Sequence, residues 1–251
     1  IETVECNAGR AGNSEKEYED RGKQQMKKVL FVINTLGCAG AEKALLELLK
    51  KFPASQYEVS LYVLLGQGEM IHQVPDHVKI LNREYSDTSV LTKEGKKELN
   101  RYVVRRMFAK GSLLRNIPYI LKNLIQMVRK GRIFPDKLLW KVMSDGAEVF
   151  REEYDLAVAY LEGGSTYYVH DHVCAKRKMA FLHVDYEWAG YTKALDRNCY
   201  QTFERIFTVS DEVKKSFLKV YPEYEDKTKV FHNLIDQQEI LRKSKLPGGF
   251  T

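Results

Sequence analysis

The sequence predicts an α/β fold in which a Rossmann-like parallel sheet carries helices on both faces. Three observations predict it. Short apolar runs alternate along the 251 residues with stretches of helical periodicity. The first run, at 29–33, is almost continuously apolar, as expected of a strand buried on both faces. It leads directly into a loop of small residues that opens an amphipathic helix, a connection typical of parallel sheets.

Seven strands are predicted in chain order, with helices between most of them. We place the strands at 29–33, 57–65, 78–81, 155–161, 178–183, 205–209 and 229–232. Helices are predicted at 41–52, in several pieces over 92–150, and at 163–173, 187–204 and 211–221. Ser210 supplies an N-cap for the last of these, where Asp211 and Glu212 place acidic side chains in the first turn.

The domain organisation follows from composition. Residues 1–25 are polar and aperiodic, which predicts a disordered lead or the remnant of an upstream segment. A single Rossmann-like domain is predicted over 26–241, with a basic helical insert at about 86–150 between the third and fourth strands. Residues 242–251 are interpreted as a linker to a second domain that is absent from this sequence.

The loop after the first strand is the first candidate site. Ligands of open parallel sheets bind beyond the carboxyl ends of the strands, and a helix N-terminus attracts phosphate. Ala39 and Gly40 open the helix here and are the candidate phosphate contacts. The loop fits neither the dinucleotide-binding nor the P-loop glycine pattern, so those classes are disfavoured. A turn that only connects two elements remains the alternative.

The ends of the fourth and fifth strands supply the other candidates. Glu162 stands between a buried strand and two glycines, where a carboxylate needs a partner or an open cleft. His183 and Asp185 follow the fifth strand. His183 could instead be a satisfied histidine at the sheet rim, and Asp185 a cap for the helix predicted at 187–204.

No metal site or cofactor is expected. His170, His172 and Cys174 lie close together, but no fourth ligand follows at a suitable spacing. The four cysteines are scattered without a C-x-x-C pair, which indicates a reducing cytoplasm and no structural zinc.

In the order of its motifs the chain resembles the amino-terminal half of a GT-B glycosyltransferase of family 4, a retaining group. Three segments between residues 26 and 241 carry the resemblance: CAGAEKALLELLK after the first strand, then YDLAVAYLEGG with KMAFLHVDY, and finally ERIFTVSDEVKKSFLKVYP with KVFHNLID. The family usually has two glycines where this chain has Ala39 and Gly40, so Ala39 can serve only with a negative φ.

The resemblance implies a role for each candidate residue. In such enzymes the amino-terminal domain binds the acceptor, and its first loop approaches the diphosphate of the nucleotide-sugar donor. By this resemblance, the catalytic candidates are His183 and Glu162, and the donor-phosphate contacts are Ala39 and Gly40. The implied acceptor contacts are Asp185, Gly163 and Gly164. A carboxyl-terminal domain would supply the cationic groups that stabilise the leaving diphosphate, so this chain alone is expected to be inactive.

The positive charge of the chain is concentrated in the helical insert. Residues 93–141 hold fourteen Lys and Arg against three Asp and Glu, a net +11, whereas the whole chain carries +6. In one interpretation the apolar stripe Ile117, Ile120, Leu121, Leu124, Ile125 and Val128 packs on the sheet and the charges are solvated. In the other, the segment binds an anionic membrane surface. Nucleic acid is disfavoured because the aromatic residues here do not alternate with the basic ones.

The expected function is therefore the acceptor-binding half of a hexosyltransferase that builds surface polysaccharide or glycolipid in the cytoplasm, peripherally attached to the inner membrane face. The expected partners are a nucleotide-sugar and a glycan or lipid-linked acceptor. The alternative is a non-catalytic carbohydrate- or nucleotide-binding module of the same fold. A nucleotide-dependent oxidoreductase lacks its glycine fingerprint.

Overall fold

The computed structural model describes residues 26–245, and the lead at 1–25 and the final residues of the expected linker lie outside them. Its centre is a seven-stranded sheet in the order β3-β2-β1-β4-β5-β6-β7, with every neighbouring pair parallel. The strands are β1 Lys27–Ile33, β2 Tyr57–Val63, β3 Val78–Ile80, β4 Glu153–Ala159, β5 Cys174–Leu182, β6 Arg205–Thr208 and β7 Thr228–Val230. All seven predicted strands are confirmed, and the chain has the expected Rossmann-like α/β fold.

Helices cover both faces of this sheet. Their bounds are α1 Gly40–Leu49, α2 Lys93–Phe108, α3 Ser112–Arg115, α4 Ile117–Arg129, α5 Pro135–Gly146, α6 Gly164–His172, α7 Lys193–Asp196, α8 Asp211–Val220 and α9 Gln237–Ser244. Strand β1 shows the two layers most clearly, because its successive side chains point to opposite faces. Leu30 and Val32 pack in one core with Tyr168 of α6, whereas Phe31 packs in the other with Leu45 of α1.

The strand order changes direction between β1 and β4, which are neighbours in the sheet although α1, β2, β3 and the whole helical insert lie between them in the chain. This switch point is where open α/β sheets bind ligands.

Ser210 caps α8 as expected, its side chain accepting a hydrogen bond from the backbone N–H of Val213. Helix α9 runs across residue 241, the position at which the sequence analysis ended the domain.

The insert between β3 and β4 is helical, as predicted, and consists of α2 to α5. Ser112 donates a hydrogen bond to the carbonyl of Val142 over 2.6 Å, which joins α3 to α5. A Cβ atom on Gly146 would lie 2.0 Å from the carbonyl oxygen of Arg106, so only glycine permits this approach of α5 to α2. Helix α5 also packs on α6, and through it the insert is attached to the sheet.

One interpretation of the insert was wrong. Four residues of the expected apolar stripe on α4 are exposed instead of packing on the sheet, while Ile120 and Leu124 are half-buried. The exposed residues are Ile117, Leu121, Ile125 and Val128. The helix turns a different face inward, where Asn123 and Met127 are buried.

The helix predicted at 187–204 was also wrong. The chain forms a turn after β5, the single turn of α7 and a 3₁₀ helix at Cys199–Thr202. Three residues in this stretch have positive φ, namely Gly190, Arg197 and Asn198, and an α-helix cannot continue through them. At Gly190 a Cβ atom would lie 2.5 Å from the ring of Phe134, so contact with the insert shapes this turn.

Tertiary contacts of Asp196 explain why the helix predicted at 187–204 does not form. Its carboxylate is fully buried and accepts hydrogen bonds from three tyrosine hydroxyls: Tyr167 at 2.8 Å, Tyr186 at 2.6 Å and Tyr221 at 2.9 Å. These tyrosines come from α6, the β5–α7 turn and the end of α8, so one side chain connects three segments of the core.

No helix within 26–245 has both the length and the apolar character required to cross a bilayer.

Candidate functional site

Asn34 joins the two loops at the switch point. It follows β1 directly and is buried. Its amide nitrogen donates to the carbonyl of Glu162 over 3.2 Å, and its amide oxygen accepts from the backbone N–H of Ser165 over 2.8 Å. Both side-chain groups are therefore used within the protein, and Asn34 fixes the β4–α6 loop relative to the β1–α1 loop.

The β1–α1 loop ends in an open helix N-terminus. Cys38, Ala39 and Gly40 are exposed, and Glu69 holds the loop from behind by accepting from the backbone N–H of Cys38 over 3.2 Å. Ala39 has φ −132° and ψ 175°, so alanine takes this conformation without strain. A Cβ atom added to Gly40 would meet nothing within 4 Å. The negative φ that Ala39 requires is thus present.

This helix end has unused hydrogen-bonding capacity. The backbone N–H groups of Gly40 and Ala41 donate to no acceptor within residues 26–245. Gly40 also lines a cavity of about 500 Å³ between α1 and the chain that follows β7, with Lys43, Asn233 and Asp236 among its polar walls. Free N–H groups, the positive end of the helix dipole and a nearby lysine are what a phosphate requires.

Glu162 and His183 meet at the ends of β4 and β5. Glu162 is 6 % exposed, and its Oε2 accepts from the backbone N–H of His183 over 3.0 Å. Burial raises the pKa of this carboxyl, and the hydrogen bond from His183 opposes the rise in part. The protein therefore holds a carboxyl group that binds a proton more readily than an exposed glutamate does.

The His183 imidazole is neutral at physiological pH. Burial lowers its pKa to about 4, although a hydrogen bond to the backbone of Tyr160 favours the charged form. Nε2 is buried and has no hydrogen-bond partner among the described residues. We assign the proton of the neutral ring to Nδ1, the nitrogen left to interact with the Tyr160 backbone. With this assignment Nε2 is a hydrogen-bond acceptor without a donor, a state that costs free energy unless a ligand supplies one.

Glu42 belongs to the same region and was missed as a site residue. It lies in the first turn of α1 and is 7 % exposed. Its pKa is raised first by burial and then by the charges of Glu69 and Glu162. Glu42 was visible in the CAGAE segment, but an acidic residue in the first turn of a helix is ordinarily exposed to solvent. Its burial depends on tertiary packing, which the local sequence does not reveal.

The two glycines after Glu162 are enclosed by the insert. A Cβ atom on Gly164 would lie 2.6 Å from the Trp140 ring, and one on Gly163, whose φ is +75°, would lie 2.7 Å from the Tyr191 hydroxyl. Both glycines are buried. Their packing against Trp140 and Tyr191 accounts for glycine at these positions, and neither lines an open cleft.

Asp185 is exposed and organises the turn after β5. Its Oδ1 accepts from the backbone N–H of Trp188 over 2.9 Å and from the hydroxyl of Ser216 over 2.6 Å. The hydrogen bond from Ser216 on α8 is the main reason that its pKa is lowered. Asp185 therefore caps a turn, which replaces the helix cap considered from the sequence.

A second cavity, of about 550 Å³, lies away from these residues. It is formed between α4 and the 187–195 segment, and its walls combine apolar side chains such as Met127 and Tyr191 with the cationic Lys130 and Lys193. None of the catalytic, phosphate-binding or acceptor-binding candidates predicted from the sequence lines it.

One cluster in the described part of the chain has the composition of a metal site. Single ligand atoms of Asp145, Asp171 and His172 lie within 4.8 Å of one another. The cluster already holds cations of its own, because Lys141 contacts both carboxylates and Arg197 donates to Asp171 over 2.6 Å. Nε2 of His172 donates to Oδ1 of Asp145 over 2.9 Å, so the acidic charge is balanced internally.

No protein-family model matches the chain, and no curated protein matches it in sequence.

The geometry thus separates the sequence candidates into two groups. Glu162, His183, Ala39 and Gly40 lie at the carboxyl edge of β1, β4 and β5, with unused donors on α1 and an unused acceptor on His183. Gly163, Gly164 and Asp185 have structural partners. An anion at the α1 N-terminus and a hydroxyl-bearing group at Nε2 would complete the hydrogen bonding of this edge.

Proposed function

We propose that this chain is the amino-terminal, acceptor-binding half of a retaining glycosyltransferase of the GT-B type. The observation that carries the proposal is the unpartnered Nε2 of His183, held beside Glu162 at the edge where the free N–H groups of α1 also lie. A sugar bears many hydroxyl donors, and a nucleotide-sugar bears a diphosphate. The two unused features therefore match the two parts of such a donor.

In the proposed reaction the α1 N-terminus contacts the donor diphosphate through Gly40 and Ala41, while Nε2 of His183 accepts a hydrogen bond from a sugar hydroxyl near the reacting carbon. Glu162 acts as a positioning residue because its carboxylate binds the backbone of His183. A second α/β domain supplies the cationic groups for the leaving diphosphate. The acceptor is a glycan or a lipid-linked glycan at the cytoplasmic face of a membrane, in the synthesis of surface polysaccharide or glycolipid.

The test is a transfer assay with the product of the whole gene. Purified protein is incubated with radiolabelled nucleotide-sugars, one nucleotide and sugar at a time, and with lipid and glycan extracts as acceptors. The proposal expects one donor to give labelled product with retained anomeric configuration. Binding of a nucleotide-sugar or glycan without any transfer would favour the non-catalytic module, and transfer with inversion would contradict the retaining assignment.

A further inference from the structure

The outer face of α4 combines exposure with strong hydrophobicity. Ile117, Leu121, Ile125 and Val128 are spaced by four, four and three residues, so they share one face of the helix. Their exposed fractions are 43 %, 53 %, 52 % and 58 %. Leu114, in the preceding turn, is 71 % exposed. A contiguous apolar stripe of this kind on a surface helix indicates an interaction surface.

Cations without counter-ions stand beside this stripe. The side chains of Arg115, Lys122, Arg129 and Lys130 form no ion pair or hydrogen bond with any residue of 26–245. From 99 to 135 the sequence contains no Asp or Glu at all. Helix α2 contains Glu94 and Glu98 beside its lysines, and Arg105 of α2 pairs with Glu84, whereas α4 contains no acidic residue.

Two further apolar side chains lie just beyond the carboxyl end of α4. Ile133 is 55 % exposed and Trp188 is 75 % exposed. The guanidinium of Arg132 lies 5.3 Å from the centre of the Trp188 ring and also donates to the carbonyl of Trp188, which places the tryptophan beside the α4–α5 connection. Tryptophan and arginine are favoured where a protein meets the headgroup region of a bilayer.

We propose that α4 lies in the plane of an anionic lipid surface, with its apolar stripe among the acyl chains and its free cations on the headgroup phosphates. The helix has 13 residues and none of the described helices is able to cross a bilayer, so it rests on the membrane instead of spanning it. The inference is independent of the proposed glycosyl transfer, because it depends only on the outer face of the insert.

The charge pattern selects lipid over a second copy of this chain. A symmetric contact through α4 would bring two sets of unpaired cations together, and no acidic residue is available on this segment to separate them. An anionic bilayer supplies both the apolar phase and the counter-charge. A polyanion without an apolar phase would leave the stripe in water.

The test is co-sedimentation of the full chain with lipid vesicles. One set contains phosphatidylcholine only, and the other contains about one-third phosphatidylglycerol, the anionic component that basic segments bind. The wild-type chain is expected to bind the anionic vesicles, and to do so less in high salt. R129Q/K130Q is expected to bind about 25-fold more weakly, since each lost cation costs about fivefold near such a surface.

Matched variants distinguish binding through the α4 surface from binding through the general charge or hydrophobicity of the insert. L121Q/I125Q removes two exposed apolar side chains and is expected to weaken binding by about tenfold or more. The controls K96Q/K97Q on α2 and Leu91→Gln before it change exposed residues of the same insert and are expected to bind as wild type. Urea unfolding of each variant establishes that it is folded.

Three outcomes would overturn the inference. Equal binding to neutral and anionic vesicles would remove the electrostatic part, and equal losses in the controls would remove the assignment to α4. A dimer that L121Q/I125Q abolishes, in a chain that sediments with neither vesicle, would assign the face to a second copy.

Discussion

The backbone N–H of His183 donates to Oε2 of Glu162 over 3.0 Å, which joins the carboxyl ends of two neighbouring strands at the switch point of the sheet. Both side chains are unusual in their protonation, because burial raises the pKa of the glutamate and lowers that of the histidine to about 4. Burial therefore shifts each group toward its neutral form. Such an arrangement costs stability, and this cost can be measured.

Replacing Glu162 with glutamine is expected to stabilise the protein at neutral pH. A carboxyl group whose pKa is raised on folding loses stability as pH rises through its folded pKa, since the native state then holds a charge that water solvates better. Glutamine can still accept from His183. E162Q is expected to exceed wild type by on the order of 1 kcal/mol near pH 7.5 and to equal it below the ordinary glutamate pKa, measured by urea unfolding. The exposed Glu225→Gln is the control, and a destabilised E162Q would show that the charge is favourable.

His183 is expected to make the protein acid-sensitive. A histidine whose pKa is lowered from 6.5 to about 4 gives up stability as pH falls from about 6.5 toward 4, because the unfolded chain takes up the proton first. By this linkage the contribution of His183 near pH 5 is smaller by about 2 kcal/mol than at neutral pH. The measurement is the difference in unfolding free energy between wild type and His183→Gln at the two pH values. A difference that does not change with pH would mean that the imidazole is solvated.

The carboxyl-edge pairing of Glu162 and His183 was accessible from sequence for a physical reason. Buried parallel strands are continuous apolar runs, so their ends are visible, and all those ends meet at one edge. The helix prediction at 187–204 failed because the apolar residues of this segment have helical spacing. Its actual structure depends on hydrogen bonds between Asp196 and three tyrosines from distant parts of the chain. Likewise, the enclosure of Gly163 and Gly164 depends on Trp140 of the insert, a contact that no local pattern encodes.

The glycines of the two loops are expected to respond differently to alanine. Gly164→Ala places a methyl group 2.6 Å from the Trp140 ring, and the overpacking is expected to cost about 2–3 kcal/mol in urea unfolding. Gly40→Ala meets nothing within 4 Å, so its stability is expected to remain within about 0.5 kcal/mol of wild type. If the α1 N-terminus holds a diphosphate, Gly40→Ala nevertheless weakens binding of a nucleotide-sugar in calorimetric titration. Unchanged binding would move the phosphate site elsewhere.

The tyrosine cluster around Asp196 is expected to be coupled energetically. Tyr167→Phe leaves one carboxylate oxygen without its 2.8 Å donor and is expected to cost about 1–3 kcal/mol. Burial raises the pKa of Asp196 to about 6, so the folded protein keeps this proton to a higher pH than the unfolded chain does, and wild-type stability falls as pH rises from about 4 through 6. Asp196→Asn is expected to remove that pH dependence. Tyr224→Phe, whose hydroxyl contacts the exposed Asn198, is the control, and an equal cost there would contradict the special role of Asp196.

The most direct test of the account is sugar transfer by His183→Gln in the product of the whole gene. His170→Gln is the matched control, because His170 lies in the last turn of α6 at the opposite edge of the sheet. The account predicts that H183Q lowers kcat/KM by about a hundredfold, the scale of one lost transition-state hydrogen bond, while H170Q stays within about twofold. Equal activity of H183Q and wild type, or no transfer by the wild-type protein with any nucleotide-sugar, would contradict it.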